Sequence, residues 1–211
     1  MQIPFKGYGD LRNQAISHCN GEWIFSLDCD ERCTIEVKNE ILSIIDKSNF
    51  DIYKVPRKNF FMGKWIKYSG WYPNFRQPQL FKNGKMSYSE DEVHEGFISH
   101  SSKEIGILNN HIWQFPFKNM EEVISKANRY SSLGVEKLRG KNISGSVWKA
   151  FMHGLWAFTK HYFLKLGFLD GGRGFVIAFG NFEGTFYRYI KLLEAESLWE
   201  APKTKPIYKK S

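Results

Sequence analysis

The stretch Trp23-Ile24-Phe25-Ser26-Leu27-Asp28-Cys29-Asp30-Glu31 passes from an apolar, aromatic run straight into acids. The run from Glu22 to Asp28 reads as a buried strand. Side chains two apart on a strand point the same way. Asp28 and Asp30 are therefore expected to present their carboxylates together at the strand's carboxyl end. Open α/β sheets bind ligands at that edge. Hard cations such as Mg²⁺ and Mn²⁺ take carboxylate oxygens and share them with a substrate diphosphate. Taken alone, the segment admits two readings: a metal–diphosphate site, or an acidic turn behind a buried strand, because Asp is an ordinary turn residue.

Outward from this segment, the chain has 211 residues, enough for one sizeable domain with an appendage. A net charge of +8 favours anionic partners, whether phosphorylated substrate, acidic lipid or nucleic acid. Nucleic acid is set aside because no recognised binding motif accompanies the charge. No apolar stretch reaches the roughly 20 residues that span a bilayer, and the amino terminus carries no signal-peptide pattern. Cys19, Cys29 and Cys33 suggest no disulfide framework, so a reducing compartment is expected. With His18 they fit no common zinc spacing.

Asp10 is placed to cap a short helix through His18. Thr34 caps the next, with Val37, Ile41, Ile44 and Ile45 on one face. Phe50 to Val55 reads as a strand closed by Pro56. Residues 57–100 read as loop-rich and antiparallel, with turns at Gly63-Lys64 and Asn83-Gly84. The second turn is flanked by Leu80-Phe81-Lys82 and Met86-Ser87-Tyr88. A second acidic cluster, Ser89-Glu90-Asp91-Glu92-Val93-His94-Glu95, follows. Leu108 to Phe117 reads as extended. Asn119 and Glu122 form a capping box opening a helix to about Lys137. Val147–Leu166 and Phe175–Glu196 are helical in pattern, separated by Gly171-Gly172-Arg173-Gly174. The tail from Ala201 is Pro- and Lys-rich.

Gly7-Tyr8-Gly9 through Arg12-Asn13, Trp23–Glu31, Val93-His94-Glu95 and Lys126-Ala127-Asn128-Arg129-Tyr130-Ser131 occur in that order. Gly167-Phe168-Leu169-Asp170-Gly171 and Phe186-Tyr187-Arg188-Tyr189 complete the set. The combination resembles family 2 glycosyltransferases, and more narrowly the lipopolysaccharide inner-core β-1,4-glucosyltransferase group of Gram-negative bacteria. Members normally carry a β-α-β unit ahead of the Gly-Tyr-Gly segment. Here Met1-Gln2-Ile3-Pro4 enters the middle of the expected domain, and Leu11 stands where the family usually has Gln.

The resemblance implies an α/β, GT-A-like (Rossmann-type nucleotide-sugar) fold, amino-terminally truncated, with carboxy-terminal amphipathic helices. Residues 1–118 would be the partial catalytic domain, 119–200 a helical region with membrane association, and 201–211 a flexible tail. It also implies an inverting transfer of a hexose, glucose from UDP-glucose, to a heptose of the lipopolysaccharide inner core, impaired if the front unit is absent. The alternative is a non-catalytic membrane-surface or partner-binding fragment.

Such chemistry needs a cation on the departing diphosphate, a base for the acceptor hydroxyl and in-line positioning. Asp28 and Asp30 match the family's Asp-x-Asp, with Asp30 toward the Mg²⁺ or Mn²⁺ and Asp28 toward the ribose or a metal-bound water. Glu31 is either a supporting residue or a surface acid. Glu95 is the candidate base and Asp91 the runner-up. His111 would extend the metal or diphosphate contacts, and His94 is a further helper. Arg12, Arg57, Lys126 and Arg129 are candidate phosphate or acceptor contacts, and Tyr130 a sugar platform.

The last third interleaves Trp148, Phe151, Trp156, Phe158, Tyr162 and Phe163 with Lys149, Lys160 and Lys165. Basic, aromatic helices of this kind lie in a membrane interface or pack on their own domain. The expected partners are a nucleotide-sugar donor, a lipid-linked saccharide acceptor and an anionic membrane surface. The expected location is peripheral, at the cytoplasmic face of the inner membrane.

Overall fold

The computed structural model describes residues 7–74, 78–89 and 96–196. The chain divides into two compact units, Met1–Lys118 and Asn119–Ser211. The first opens with helix α1 (Tyr8–Ser17), strands β1 (Trp23–Phe25) and β2 (Glu31–Arg32), and helix α2 (Ile35–Ile44). There follow β3 (Ile52–Lys54), β4 (Arg57–Phe61), β5 (Lys64–Trp65), β6 (Pro78–Lys82), β7 (Met86–Tyr88), β8 (Phe97–Ser99), β9 (Gly106–Ile107) and β10 (Ile112–Gln114). One sheet has the order β1-β6-β3-β9, a second β2-β10-β4-β5, and β7 pairs with β8. The α/β class is present as mixed sheets: among the described strands only β3–β9 and β4–β10 run parallel.

Register builds the core. Ile24 pairs with Phe81, and Phe81 with Ile52, so these three share one face with Met86 and Tyr88. The adjacent row, Phe25, Leu80 and Tyr53, turns to the other face, where Val37, Val55, Leu108 and Ile112 meet it. Successive strand residues point to opposite faces, and here both faces are covered. That is why the strands read as continuous apolar runs rather than alternating ones. Helix α2 covers the second face as its spacing predicts. Thr34 Oγ1 accepts from the Val37 N–H at 3.3 Å, and Val37 is fully buried.

Two expectations are corrected and a third holds. The strand expected over 22–28 ends at Phe25, after which the Ser26 N–H donates to the Gln79 carbonyl and the chain turns. The runs either side of Asn83-Gly84 are joined by a turn but do not pair: β1 and β3 occupy both edges of β6, and β7 pairs with β8. The Gly63 turn does make a hairpin. Met62 and Gly63 both have positive φ (47° and 75°), as the turn that matches strand twist requires, and it joins β4 to β5.

Glu40 of α2 fixes the approach to β10. Its carboxylate accepts the backbone N–H groups of Asn109 and Asn110, both at 2.8 Å, and their side-chain amides at 3.1 and 2.9 Å. Burial pushes the Glu40 pKa up, but these hydrogen bonds together outweigh it and hold the carboxyl below its ordinary value. The stability they supply is therefore complete above the unfolded carboxylate pKa and disappears as pH falls through the lower folded one. Glu40→Gln is expected to lower Tm at neutral pH and to flatten the acid side of the Tm–pH curve. Thermal melts of both proteins across the acidic range check this.

In the second unit, helix α3 (Met120–Arg139) begins as the capping box predicts, with Asn119 Oδ1 accepting from the Glu122 N–H at 3.0 Å. Helix α4 (Val147–Thr159) runs into a wide π-type turn, Lys160–Leu164, and a tight turn, Gly167–Asp170. Helix α5 (Gly172–Glu196) follows. The glycines at 171–174 do not separate two elements as expected; α5 starts among them. A Cβ on Gly174 would collide with the carbonyl of Gly167, so glycine lets the start of α5 close onto the preceding turn. Lys191 of α5 reaches Asn128 O and Oδ1 (2.8 and 2.6 Å) and the Ser131 and Ser132 hydroxyls (both 2.8 Å), tying α5 to α3. The His153 ring of α4 stacks on Tyr189 at 4.6 Å. Among the described residues no helix is long and apolar enough to cross a membrane.

Candidate active site

Asp28 and Asp30 stand in a tight turn, not at a strand end. The Glu31 N–H donates to the Asp28 carbonyl at 2.9 Å, and the Asp28 N–H donates back to Glu31 Oε2 at 3.0 Å. The turn is thus closed twice, and Glu31 closes it. Sequence reasoning left Glu31 between a supporting residue and a surface acid. It is buried, with 4% exposure. Its position three residues after Asp28, the spacing that closes a turn, was the available signal.

Glu31 is held from two strands. Gln79 Nε2 of β6 donates to Oε2 at 2.7 Å and to the Ser26 carbonyl at 3.2 Å. Arg57 Nε of β4 lies 3.0 Å from Oε1. That N–H is directed at Gln79 Oε1, 3.4 Å away, so Oε1 has a cationic neighbour without a directed hydrogen bond. Burial raises the Glu31 pKa more than the Arg57 charge lowers it. Arg57, a candidate phosphate or acceptor contact from the sequence, is in this structure a buried partner of Glu31, with its side chain 7% exposed. Gln79 was not singled out from the sequence, and nothing in its local pattern marks it.

The two aspartates have different anchors. Asp28 takes Arg12 Nη2 of α1 on both oxygens, at 2.9 and 3.2 Å. Asp30 Oδ2 accepts Gln114 Nε2 of β10 at 3.1 Å, and its carbonyl accepts the Phe115 N–H at 2.8 Å. Both aspartates are half-exposed. Arg12, Ser26, Asp28, Arg57, Gln79 and Tyr88 enclose a small polar cavity of about 10 Å³, one water's worth. Arg12 also lies 5.1 Å from the Tyr88 ring centroid, and burial raises the Tyr88 pKa.

Asn13, beside Arg12, clamps β7: its Nδ2 donates to the Tyr88 carbonyl at 2.9 Å and its Oδ1 accepts the Tyr88 N–H at 2.8 Å. Just beyond, Ser89 and Gly96 are bonded to each other, Ser89 N–H to Gly96 O at 3.1 Å and Gly96 N–H to Ser89 Oγ at 2.9 Å. Asp91, His94 and Glu95 lie outside the described residues.

His111 does not join the aspartates. Its Nε2 is 3.0 Å from the Tyr72 hydroxyl, and burial, with Lys58 nearby, lowers its pKa. Among the described residues no three His, Cys, Asp or Glu side chains gather into a metal-binding group. Lys126, Arg129 and Tyr130 are exposed on α3 in the second unit. Within that motif Lys191 engages Asn128 and Ser131.

Asp28 and Asp30 would offer hard carboxylate oxygens to a divalent ion, with the rest of its shell left to other ligands. Both carboxylates already have partners, Asp28 in Arg12 and Asp30 in Gln114, and a half-exposed ion pair such as Arg12–Asp28 is worth only about 0–1 kcal/mol.

Residues 3–98 match the family model described as glycosyl transferase family 2. The wider chain is similar to an "uncharacterized glycosyltransferase" of Rickettsia felis, 26% identical over 91% of this chain and 71% of that protein. A counterpart in Rickettsia prowazekii is 25% identical over 92% of this chain and 69% of its own length. Lipopolysaccharide core biosynthesis glycosyltransferase LpsC of Rhizobium meliloti is 24% identical over 96% of this chain and 75% of its own.

Proposed function

We propose that the protein is an inverting, metal-dependent hexosyltransferase of GT-A type acting in lipopolysaccharide core assembly. The donor is a nucleotide sugar, UDP-glucose by the resemblance, and the acceptor a heptose on a lipid-linked saccharide at the cytoplasmic face of the inner membrane. The observation that carries this is the Asp28–Glu31 turn. Two half-exposed carboxylates are set in a frame drawn from α1, β4, β6 and β10, inside a family 2 segment.

Asp28 and Asp30 would hold Mg²⁺ or Mn²⁺, which offsets the charge of the departing diphosphate. Glu95, or Asp91 in its place, takes the acceptor hydroxyl's proton as the oxygen attacks the anomeric carbon from the face opposite the leaving group. The bond to the diphosphate breaks, and the nucleoside diphosphate leaves with its electron pair. Arg12, once released from Asp28, would meet a phosphate oxygen. His94, His111, Lys126, Arg129 and Tyr130 remain candidate substrate contacts.

UDP with Mn²⁺ is expected to raise Tm, and Asp30→Ala to remove the shift, as ligand binding to the folded state alone dictates. An unchanged Tm for the unsubstituted protein would instead favour a non-catalytic role.

A further inference from the structure

Helix α4 is amphipathic in the reverse sense. Its small residues, Ala150 and Gly154, are buried, and Gly154 lies against Phe182 of α5. Its large residues point outward: Trp148, Phe151, Met152, Leu155 and Trp156 are 42–69% exposed. Their 3- and 4-residue spacing places them along one side. The connection to α5 continues the pattern. Phe163, Leu164, Leu166, Phe168 and Leu169 are 43–64% exposed, in a tip where polar turn residues are the norm. Leu166 holds a left-handed φ of 55°, a conformation that favours glycine, so a bulky apolar side chain is presented there despite the backbone.

Along the chain from Lys141 to Phe182 the charges are almost all of one sign, although the Glu196 carboxylate of α5 accepts the Gly145 N–H just ahead of α4. Lys149, Lys160, Lys165 and Arg173 fall in α4, the tip and the start of α5, and Asp170 is the single acid between Lys141 and Phe182. With 13 residues, α4 is far too short to span a bilayer. Apolar side chains flanked by Trp and collared by Lys and Arg match the boundary between acyl chains and anionic headgroups.

We propose that the α4–α5 tip and the outward face of α4 are a membrane-docking surface, occupied by an anionic lipid leaflet. The apolar tip enters the acyl boundary while Lys160, Lys165 and Arg173 meet headgroup phosphates. The inference goes beyond the transfer reading, and vesicles without saccharide or nucleotide test it alone.

The experiment is flotation of the full chain with phosphatidylcholine vesicles and with vesicles containing phosphatidylglycerol. Leu164→Glu/Leu169→Glu and Lys160→Glu/Lys165→Glu are run beside it, with circular dichroism confirming the fold of each. Binding is expected to be stronger on anionic vesicles and to weaken with salt. The leucine variant should bind at least tenfold more weakly to both vesicle types, the loss expected when two Leu no longer enter an apolar phase. The lysine variant should lose only the anionic preference. Equal recovery of the unsubstituted protein and the leucine variant would overturn the proposal. So would a concentration-dependent dimer, dissociated by the leucine variant, with no vesicle binding by the unsubstituted chain.

Discussion

Arg57→Ala is expected to cost about 3–5 kcal/mol, because it strands the Glu31 carboxylate in a buried site. Chemical denaturation of the two proteins measures this directly. The cause is desolvation rather than loss of attraction, and a double variant separates the two. Glu31→Leu/Arg57→Met removes both charges and is expected to recover much of the stability, since buried ion pairs are often no better than apolar groups of similar size. It does not recover the Glu31 Oε2 bonds to the Asp28 N–H and Gln79, so the turn stays loose and transfer stays weak. The pH dependence adds a signature. Burial raises the Glu31 pKa, so the folded state keeps this proton to higher pH than the unfolded state does. Stability associated with Glu31 therefore declines as pH climbs from the ordinary carboxylate value through the raised one. That is opposite in sense to Glu40.

Under the proposed function, Asp28→Asn and Asp30→Asn are each expected to lower kcat/KM for sugar transfer by at least about a hundredfold, with Tm almost unchanged. The rate loss follows from the several kcal/mol a cation supplies at the leaving phosphate. The small stability change follows from the half-exposed position of both side chains and the low worth of the Arg12 pair. Transfer assays across a Mn²⁺ titration check this; a loss that excess metal partly repairs assigns the residue to the cation. Comparable fold-losses in rate and stability would make the turn merely structural. Arg57→Ala behaves differently, since it lowers stability and rate together.

Several element boundaries in both units were readable from residues alone. Thr34 before an apolar helical stripe gave α2, Asn119 and Glu122 gave the start of α3, and Gly63 gave the β4–β5 hairpin, each through a local hydrogen bond or a forced φ. Strand pairing was less legible. β6 and β7 sit either side of a good turn, yet their neighbours come from residues 23–25, 52–54 and 97–99, and no local signal encodes those partners. The same limit applies to the site. The Asp-x-Asp segment stood out because its acids interrupt an apolar run. Arg57 and Gln79 looked like any other polar residues, because their role depends on two strands meeting under the turn. Glu31 stayed open between a supporting residue and a surface acid for a related reason: its burial shows only when the surrounding sheets are in place.

Arg12 and Asn13 are adjacent on α1, and their side chains leave the helix about 100° apart. One grips the aspartate turn, the other the end of β7. The helix therefore works as a key cut with two teeth. Slipping one extra residue between them would rotate one tooth away while the other stayed seated. The phase of this one helical turn therefore cannot change without giving up one of the two contacts.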